Sequence, residues 1–355
     1  MKANTTVVVG MSGGVNSSVA AYLLKKQGYH VIGLFMKNWD EKNEDGVCTA
    51  TEDYRDVVKV ANELDIPYYS VNFEKEYMEQ VFKHVVHGHL DGKNPSIDVR
   101  CNQEVKFGLF KKYAGLLGAD YIATGHYARI TEVDNDIQLL TGADQNEQTY
   151  FLSMLKKEQL KNVIFPLSSL ARWEIRELAI GAKLATAAKT DSDGLCYIGE
   201  QEFNQFIRDF VQQPSGNIID DNKGRNIGKH DGLAFYKVGS SYEFPTNDGV
   251  LRLTVLEKRY NDNTLIVSED HNHEKLYVTD GFIESLNLFT PASQPFDTLI
   301  CHAKTGYRKP NVRVTISPQE HGSKIVFDEP IRALLAGQHI ALYSGPECIG
   351  GAVIG

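Results

Sequence analysis

Residues Ser12-Gly13-Gly14-Val15-Asn16-Ser17-Ser18 constrain this chain more than any other stretch. An apolar run, Val7-Val8-Val9-Gly10, leads into them, and an amphipathic run from Val19 to Gln27 leads out. That order reads as a buried strand over 6–10, a tight glycine turn and a helix over 17–27. Adjacent glycines leave backbone N–H groups bare. A helix N-terminus flanked by the hydroxyls of Ser12, Ser17 and Ser18 adds to the pull on negative charge. The loop therefore suits a phosphate group. It has neither the lysine and spacing of G-x-x-x-x-G-K-[ST] nor the G-x-G-x-x-G of dinucleotide folds.

Strand and helix patterns alternate from residue 5 to about 205. Strands read at 6–10, 31–36, 67–72 and 119–123, with helices at 17–27, 50–64, 74–89 and 103–117. This predicts an α/β, Rossmann-like domain with a parallel doubly wound sheet, whose ligands sit beyond the strand carboxyl ends. The glycine loop, Met36 and Thr124-Gly125-His126 all fall there. Beyond Phe210 short β-like runs (251–256, 264–267, 275–278, 312–316, 325–327, 339–343) alternate with turn signals such as Asn247-Asp248-Gly249. One or two small antiparallel β domains are expected, with a boundary near 277–285.

The 355 residues, 42% hydrophobic and 23% charged, have the balance of a soluble globular chain of two or three domains. No apolar run is long enough to span a membrane, and Met1-Lys2-Ala3-Asn4 leads straight into the first strand. The reading is cytoplasmic, with no membrane partner. A net charge of −9 does not advertise nucleic-acid binding, but a local cluster of cations would suffice. Lys156, Lys157 and Lys161, and Lys304, Arg308, Lys309 and Arg313, are the candidates.

The five cysteines (48, 101, 196, 301, 348) contain no C-x-x-C pair, which argues against an iron–sulfur cluster or zinc site. No metal-ligating set is assigned: His84, His87 and His89 read as a solvated helix face, and Cys48 as a packing thiol. Two cysteines stand out by context. Cys101, beside Arg100, is expected just before the helix at 103, where the dipole would favour a thiolate. Cys196 lies between Gly194 and Gly199, in what reads as a loop. A persulfide on one and a resolving thiol on the other would supply sulfur to a carbon whose oxygen ATP had activated.

The glycine loop resembles the SGGxDSS loop of the pyrophosphatase-type ATP enzymes, with Asn16 in place of aspartate. The whole chain resembles the bacterial tRNA-specific 2-thiouridylases, in Gly33-Leu34-Phe35-Met36-Lys37-Asn38-Trp39, Cys101-Asn102, 118–127, Gly194-Leu195-Cys196-Tyr197-Ile198-Gly199-Glu200, Phe327-Asp328-Glu329-Pro330 and Cys348-Ile349-Gly350-Gly351. The resemblance implies an ATP-pyrophosphatase domain over 1–207, a small central β domain over 208–278 and a C-terminal β-barrel over 279–355. It implies a tRNA-uridine 2-sulfurtransferase that adenylates O2 of the wobble uridine. Gly10, Met11, Ser12, Gly13, Gly14, Val15, Asn16, Ser17, Met36 and Gly125 would bind ATP, with Mg2+. Cys196 would carry the persulfide, Cys101 would resolve it by a disulfide, and Asp98 would act as acid–base. Ser96, Ile97, Asp98, His126, Glu147, Gln148, Gly306, Tyr307 and Gln338 would touch tRNA. The other implied partner is a persulfide carrier protein or a cysteine desulfurase.

Departures gather where RNA or Mg-ATP should bind. They are Asn16, Ser96-Ile97 for N-P in the P-N-P-D motif, the shortened 146–150, Gly239-Ser240-Ser241-Tyr242-Glu243 for G-Q-R-K-G, and Gly306 for arginine in R-Y-R. They keep two alternatives open: a paralogue that binds nucleotide or a sulfur carrier without turnover, and the same chemistry on another substrate.

Overall fold

The computed structural model describes residues 4–39, 49–134, 136–143, 147–189, 207–208, 211–246, 249–289 and 297–355. Cys48, Asn146 and Cys196, with the rest of 190–206, lie outside the described residues. The first strands are β1 (Thr6–Met11), β2 (His30–Lys37), β3 (Tyr68–Asn72), β4 (Tyr121–Ala123), β5 (Ala128–Val133), β6 (Asp136–Thr141) and β7 (Val163–Ile164). Five of them form a parallel sheet in the order β3-β2-β1-β4-β7.

Both faces of that sheet are covered, which is why β1 reads as an unbroken apolar run rather than an alternating one. Val7 and Val9 pack with Phe35 under helix α1 (Val15–Lys26) and helix α2 (Thr49–Glu63). Val8 turns to the other face, where it joins Leu34, Phe107 and Phe110. The strand order reverses between β1 and β4. The crevice outside their carboxyl ends is where such sheets take ligands.

The central unit is a five-stranded sheet of β8 (Gly216–Asp220), β9 (Arg225–His230), β10 (Ser241–Thr246), β11 (Gly249–Arg259) and β12 (Thr264–Ser268), ordered β10-β11-β12-β8-β9. The expectation of antiparallel strands alone needs correcting here, because β8 and β12 run parallel. Their register pairs Ile218 with Leu265, inside the apolar core of this unit.

The last strands are β13 (Tyr277–Leu288), β14 (Leu299–Lys304), β15 (Val312–Pro318), β16 (Ser323–Arg332), β17 (His339–Ser344) and β18 (Glu347–Ile354). They pair as β13-β16-β15-β14-β17-β18, and β18 returns to β13, closing a six-stranded barrel. Ile283, Val314, Ile316, Ile325 and Leu342 fill its interior. The hairpin β5–β6, from the first half of the chain, adds itself to β18 through Glu347–Leu140 and Cys348–Leu139. Alternation along β17 then serves two cores. Ile340 and Leu342 point into the barrel, while Ala341 and Tyr343 join the core beneath the parallel sheet.

Leu139, fully buried in that shared core, tests the junction. Leu139→Ala is expected to lower stability by about 2–5 kcal/mol. Leu116→Ala, at a side chain 77% exposed, should stay within about 0.5 kcal/mol of the parent. Urea unfolding followed by tryptophan fluorescence checks both.

Candidate active site

Beyond β1, the chain turns through Ser12, Gly13 and Gly14 and enters α1 at Val15. Gly14 is the extended N-cap residue and offers no side chain to cap the amides of the first turn. Gly13 has φ +74°, and a Cβ there would lie 2.6 Å from the Asp53 carbonyl oxygen. Gly125, after β4, packs so closely that a Cβ would sit 2.9 Å from the Ser17 nitrogen. The hydroxyls hold the turn together: Ser17 and Ser18 both donate to the Gly14 carbonyl, at 3.1 and 2.8 Å. The Ser12 N–H donates to Ser17 Oγ at 3.2 Å.

Asn16 is also held. The Tyr127 hydroxyl donates to its Oδ1 at 2.9 Å, which leaves Nδ2 hydrogens for a ligand where aspartate would offer a second anionic oxygen. Tyr127 in turn exchanges backbone and side-chain bonds with Gln148: the Tyr127 N–H reaches Gln148 Oε1 at 3.1 Å. Met11 and Met36 are buried at the ends of β1 and β2, and Met36 belongs to the core rather than following the strand as expected.

Gln148 opens onto a cleft of about 880 Å³ walled by all three units. Ser96, Ile97, Asp98, Gln148, Gly306, Tyr307 and Gln338 line it together, drawn from segments up to 242 residues apart. Tyr307 packs against Phe151 with ring centroids 4.6 Å apart and planes tilted by 42°. Gln338 donates to the Thr305 carbonyl and accepts from the Leu335 N–H. Among the described residues, six cations also line the cleft (Lys93, Arg172, Lys237, Lys258, Lys309, Arg332) against the single carboxylate of Asp98. Burial pulls the Lys258 ammonium down to about 8 and the imidazole of His89 down to about 4. Of the basic residues singled out from sequence, Lys309 is the one on this wall. Lys304, half-buried, is taken up in an ion pair with Glu147, and Lys157 pairs with Asp136.

The helix bearing Cys101 starts earlier than its pattern suggested. Ser96 is its N-cap, with Oγ accepting the Val99 N–H at 3.3 Å, and Ile97–Cys101 form the first turns. Cys101 therefore sits a full turn inside, and the dipole argument for its thiolate does not hold. Its thiol is fully buried in the core, one turn beyond Asp98 on the same helix face. Arg100 turns away, to the Gln80 carbonyl and to Glu104. Asp98, 8% exposed, reaches the cleft wall and, after burial, is a second cause of the raised Tyr150 hydroxyl.

Two of the residues expected to touch RNA lie off this wall. His126 is buried between Phe107 and Phe165, bonded through Nδ1 to Thr124 Oγ1 at 2.7 Å, and burial holds it neutral. Glu147 is consumed by Lys304 and Thr149. His84 and His87 are exposed, while His89 turns inward and lines the cleft. Sequence reading missed Lys93, Arg172, Lys237, Lys258, Arg332 and His339, which come from scattered segments and meet only through tertiary assembly.

Two family models match the chain. One, described as a tRNA methyl transferase HUP domain, covers residues 5–200, and the other, an aminomethyltransferase beta-barrel domain, covers 281–354. The tRNA-specific 2-thiouridylase MnmA of Listeria innocua is 47% identical over 98% of this chain and 94% of its own length. That of Shouchella clausii is 46% identical over 99% of this chain and 96% of its own length.

The strained turn generates a direct test. Gly13→Ala must place a Cβ against backbone at an unfavourable φ, at a cost of about 1–3 kcal/mol. ATP affinity measured by calorimetry is expected to fall at least about tenfold. Gly115→Ala, where a Cβ meets nothing within 4 Å, should leave it unchanged.

Proposed function

Because the chain belongs to the tRNA-specific 2-thiouridylase family, we propose that it is an ATP-dependent tRNA sulfurtransferase that makes 2-thiouridine at the wobble position. One observation carries this reading. A cleft with six cations and one acid, in a chain of net charge −9, is floored by the helix that bears Asp98 and Cys101. A polyanion is drawn to that cleft rather than to the acidic surface around it.

In this reading ATP lies over the Ser12–Ser17 turn, with its phosphates on the amides of α1's first turn. Gly10, Met11, Val15, Met36 and Gly125 shape the surroundings. The loop itself supplies no carboxylate for a divalent cation, so Mg2+ is assigned only as the ion that ATP phosphates carry. The uridine O2 attacks the α-phosphorus and displaces pyrophosphate. The terminal sulfur of a Cys196 persulfide then bonds to C2. Cys101 attacks the remaining Cys196 sulfur, closing a disulfide as the S–S bond breaks, and C2 releases AMP. A dithiol must reduce that disulfide before the next cycle, and a persulfide carrier or cysteine desulfurase must reload Cys196. Asp98, on the wall and one turn from Cys101, would move the proton on N3 of the base. The family model's description names methyl transfer. The buried thiol beside Asp98 and the phosphate-binding turn favour sulfur.

Thiolation of unmodified tRNA, read by retardation in a mercury-containing gel, tests the assignment. Cys101→Ser and Cys196→Ser are each expected to lower the rate by at least about a thousandfold while ATP binding persists. Product from Asn16→Asp alone would favour the non-turnover paralogue that Asn16 suggests. Lys258 gives a second check. Lys258→Met should reduce the slope of log affinity against log salt by about 0.7–0.9. As pH rises through about 8 the Lys258 ammonium loses its proton, so tRNA affinity should fall between pH 7 and 9, and that fall should be smaller in the variant.

A further inference from the structure

His339, on β17, reaches across the cleft wall to the segment that launches the helix of Asp98 and Cys101. We propose that His339 is a positioning residue: its Nδ1 accepts the Ser96 backbone N–H, fixing where that helix begins and so aiming Asp98 into the cleft. The proposal rests on the sulfurtransferase role given to Asp98 and Cys101.

The contact is 3.3 Å and joins residues 243 apart in sequence. Ser96 is extended (φ −87°, ψ 120°), so its amide lies outside the helix ladder and needs a partner from elsewhere. An imidazole can accept at Nδ1 only when neutral with its proton on Nε2. Burial supplies that state, pulling His339 down to about 4. The His339 carbonyl meanwhile accepts the Tyr150 hydroxyl at 2.9 Å, and Tyr150 is the phenol that senses Asp98.

The neighbouring contacts point the same way. The Asn94 N–H donates to the Ala336 carbonyl at 2.7 Å, and Lys93 pairs with Glu284 at 2.9 Å. Gly337 packs so tightly that a Cβ would lie 2.6 Å from that of Lys93. Residues 93–96 are thus seated on the barrel before the helix starts. Ile97 and Val99 are β-branched and do little to nucleate a helix on their own. The sequence pattern alone places the start near 103. An external acceptor at Ser96 decides in favour of 97.

The test compares His339→Leu, which keeps bulk and removes the acceptor, with His339→Asn, whose amide oxygen restores one. Hydrogen exchange on the full chain and multiple-turnover thiolation at saturating ATP, with a persulfide donor and a dithiol present, are read together. In the leucine variant, exchange across 97–101 should quicken, and kcat should fall, each by about tenfold. KM for tRNA should hold within about twofold, exchange across 312–318 should stay unchanged, and the asparagine variant should regain both properties. Unchanged exchange at 97–101, indistinguishable leucine and asparagine variants, or quickened exchange throughout the barrel would each overturn the proposal. A parent protein that makes no thiouridine would overturn the sulfurtransferase reading instead, with the exchange comparison still deciding the role of His339.

Discussion

The addition of hairpin β5–β6 to strand β18 is the contact on which the rest of this molecule depends. It is made by two residues of β18 before that strand turns to close the barrel on β13. Around it, Leu139, Ala341, Tyr343 and Cys348 merge with the core beneath the parallel sheet. The barrel is therefore not tethered but packed, and the wall it gives the cleft has a fixed place. The Glu147–Lys304 pair lies in the same junction with Thr149 and Tyr343. Such a buried pair adds little net stability over apolar packing, but it penalises any register in which one partner is left alone.

The residue Tyr127 ties the two halves of the candidate site. Its hydroxyl bonds Asn16 at the phosphate turn, and its backbone and Gln148 bond each other at the cleft. Arg172, on the cleft wall, lies 5.9 Å from the centre of its ring. A change on either side of this buried ring is felt on the other, because a close-packed side chain cannot shift without moving its neighbours.

Much of the first unit was legible because its signals are local. The three valines of β1 announce a strand buried on both faces, and the serine–glycine turn announces the N-terminus of α1. The hairpin β5–β6 was missed although it carries a signal. Val133 pairs with Asp136, and Asp134 after β5 has φ +52°, the region that hairpin turns need. The start of the Cys101 helix was misjudged because Ser96 was not weighed as an N-cap, and because its second partner lies in the barrel. Lys304 read as a surface cation because Glu147, which neutralises it, is 157 residues away. Composition carries no trace of such distant pairs, and five of the six cleft cations, all but Lys309, share that property.

The cleft's positive lining has a corollary for the rest of the surface. If six cations of an acidic chain face one slot with one carboxylate, the remaining exterior is more negative than the overall −9. A polyanion drifting against that exterior meets net repulsion. At physiological ionic strength that repulsion reaches only about 8 Å into solvent, so it acts in the final layers of water before touch. Misoriented encounters are thus turned back without being bound, and the acidic exterior sorts collisions by orientation while the slot retains those that remain.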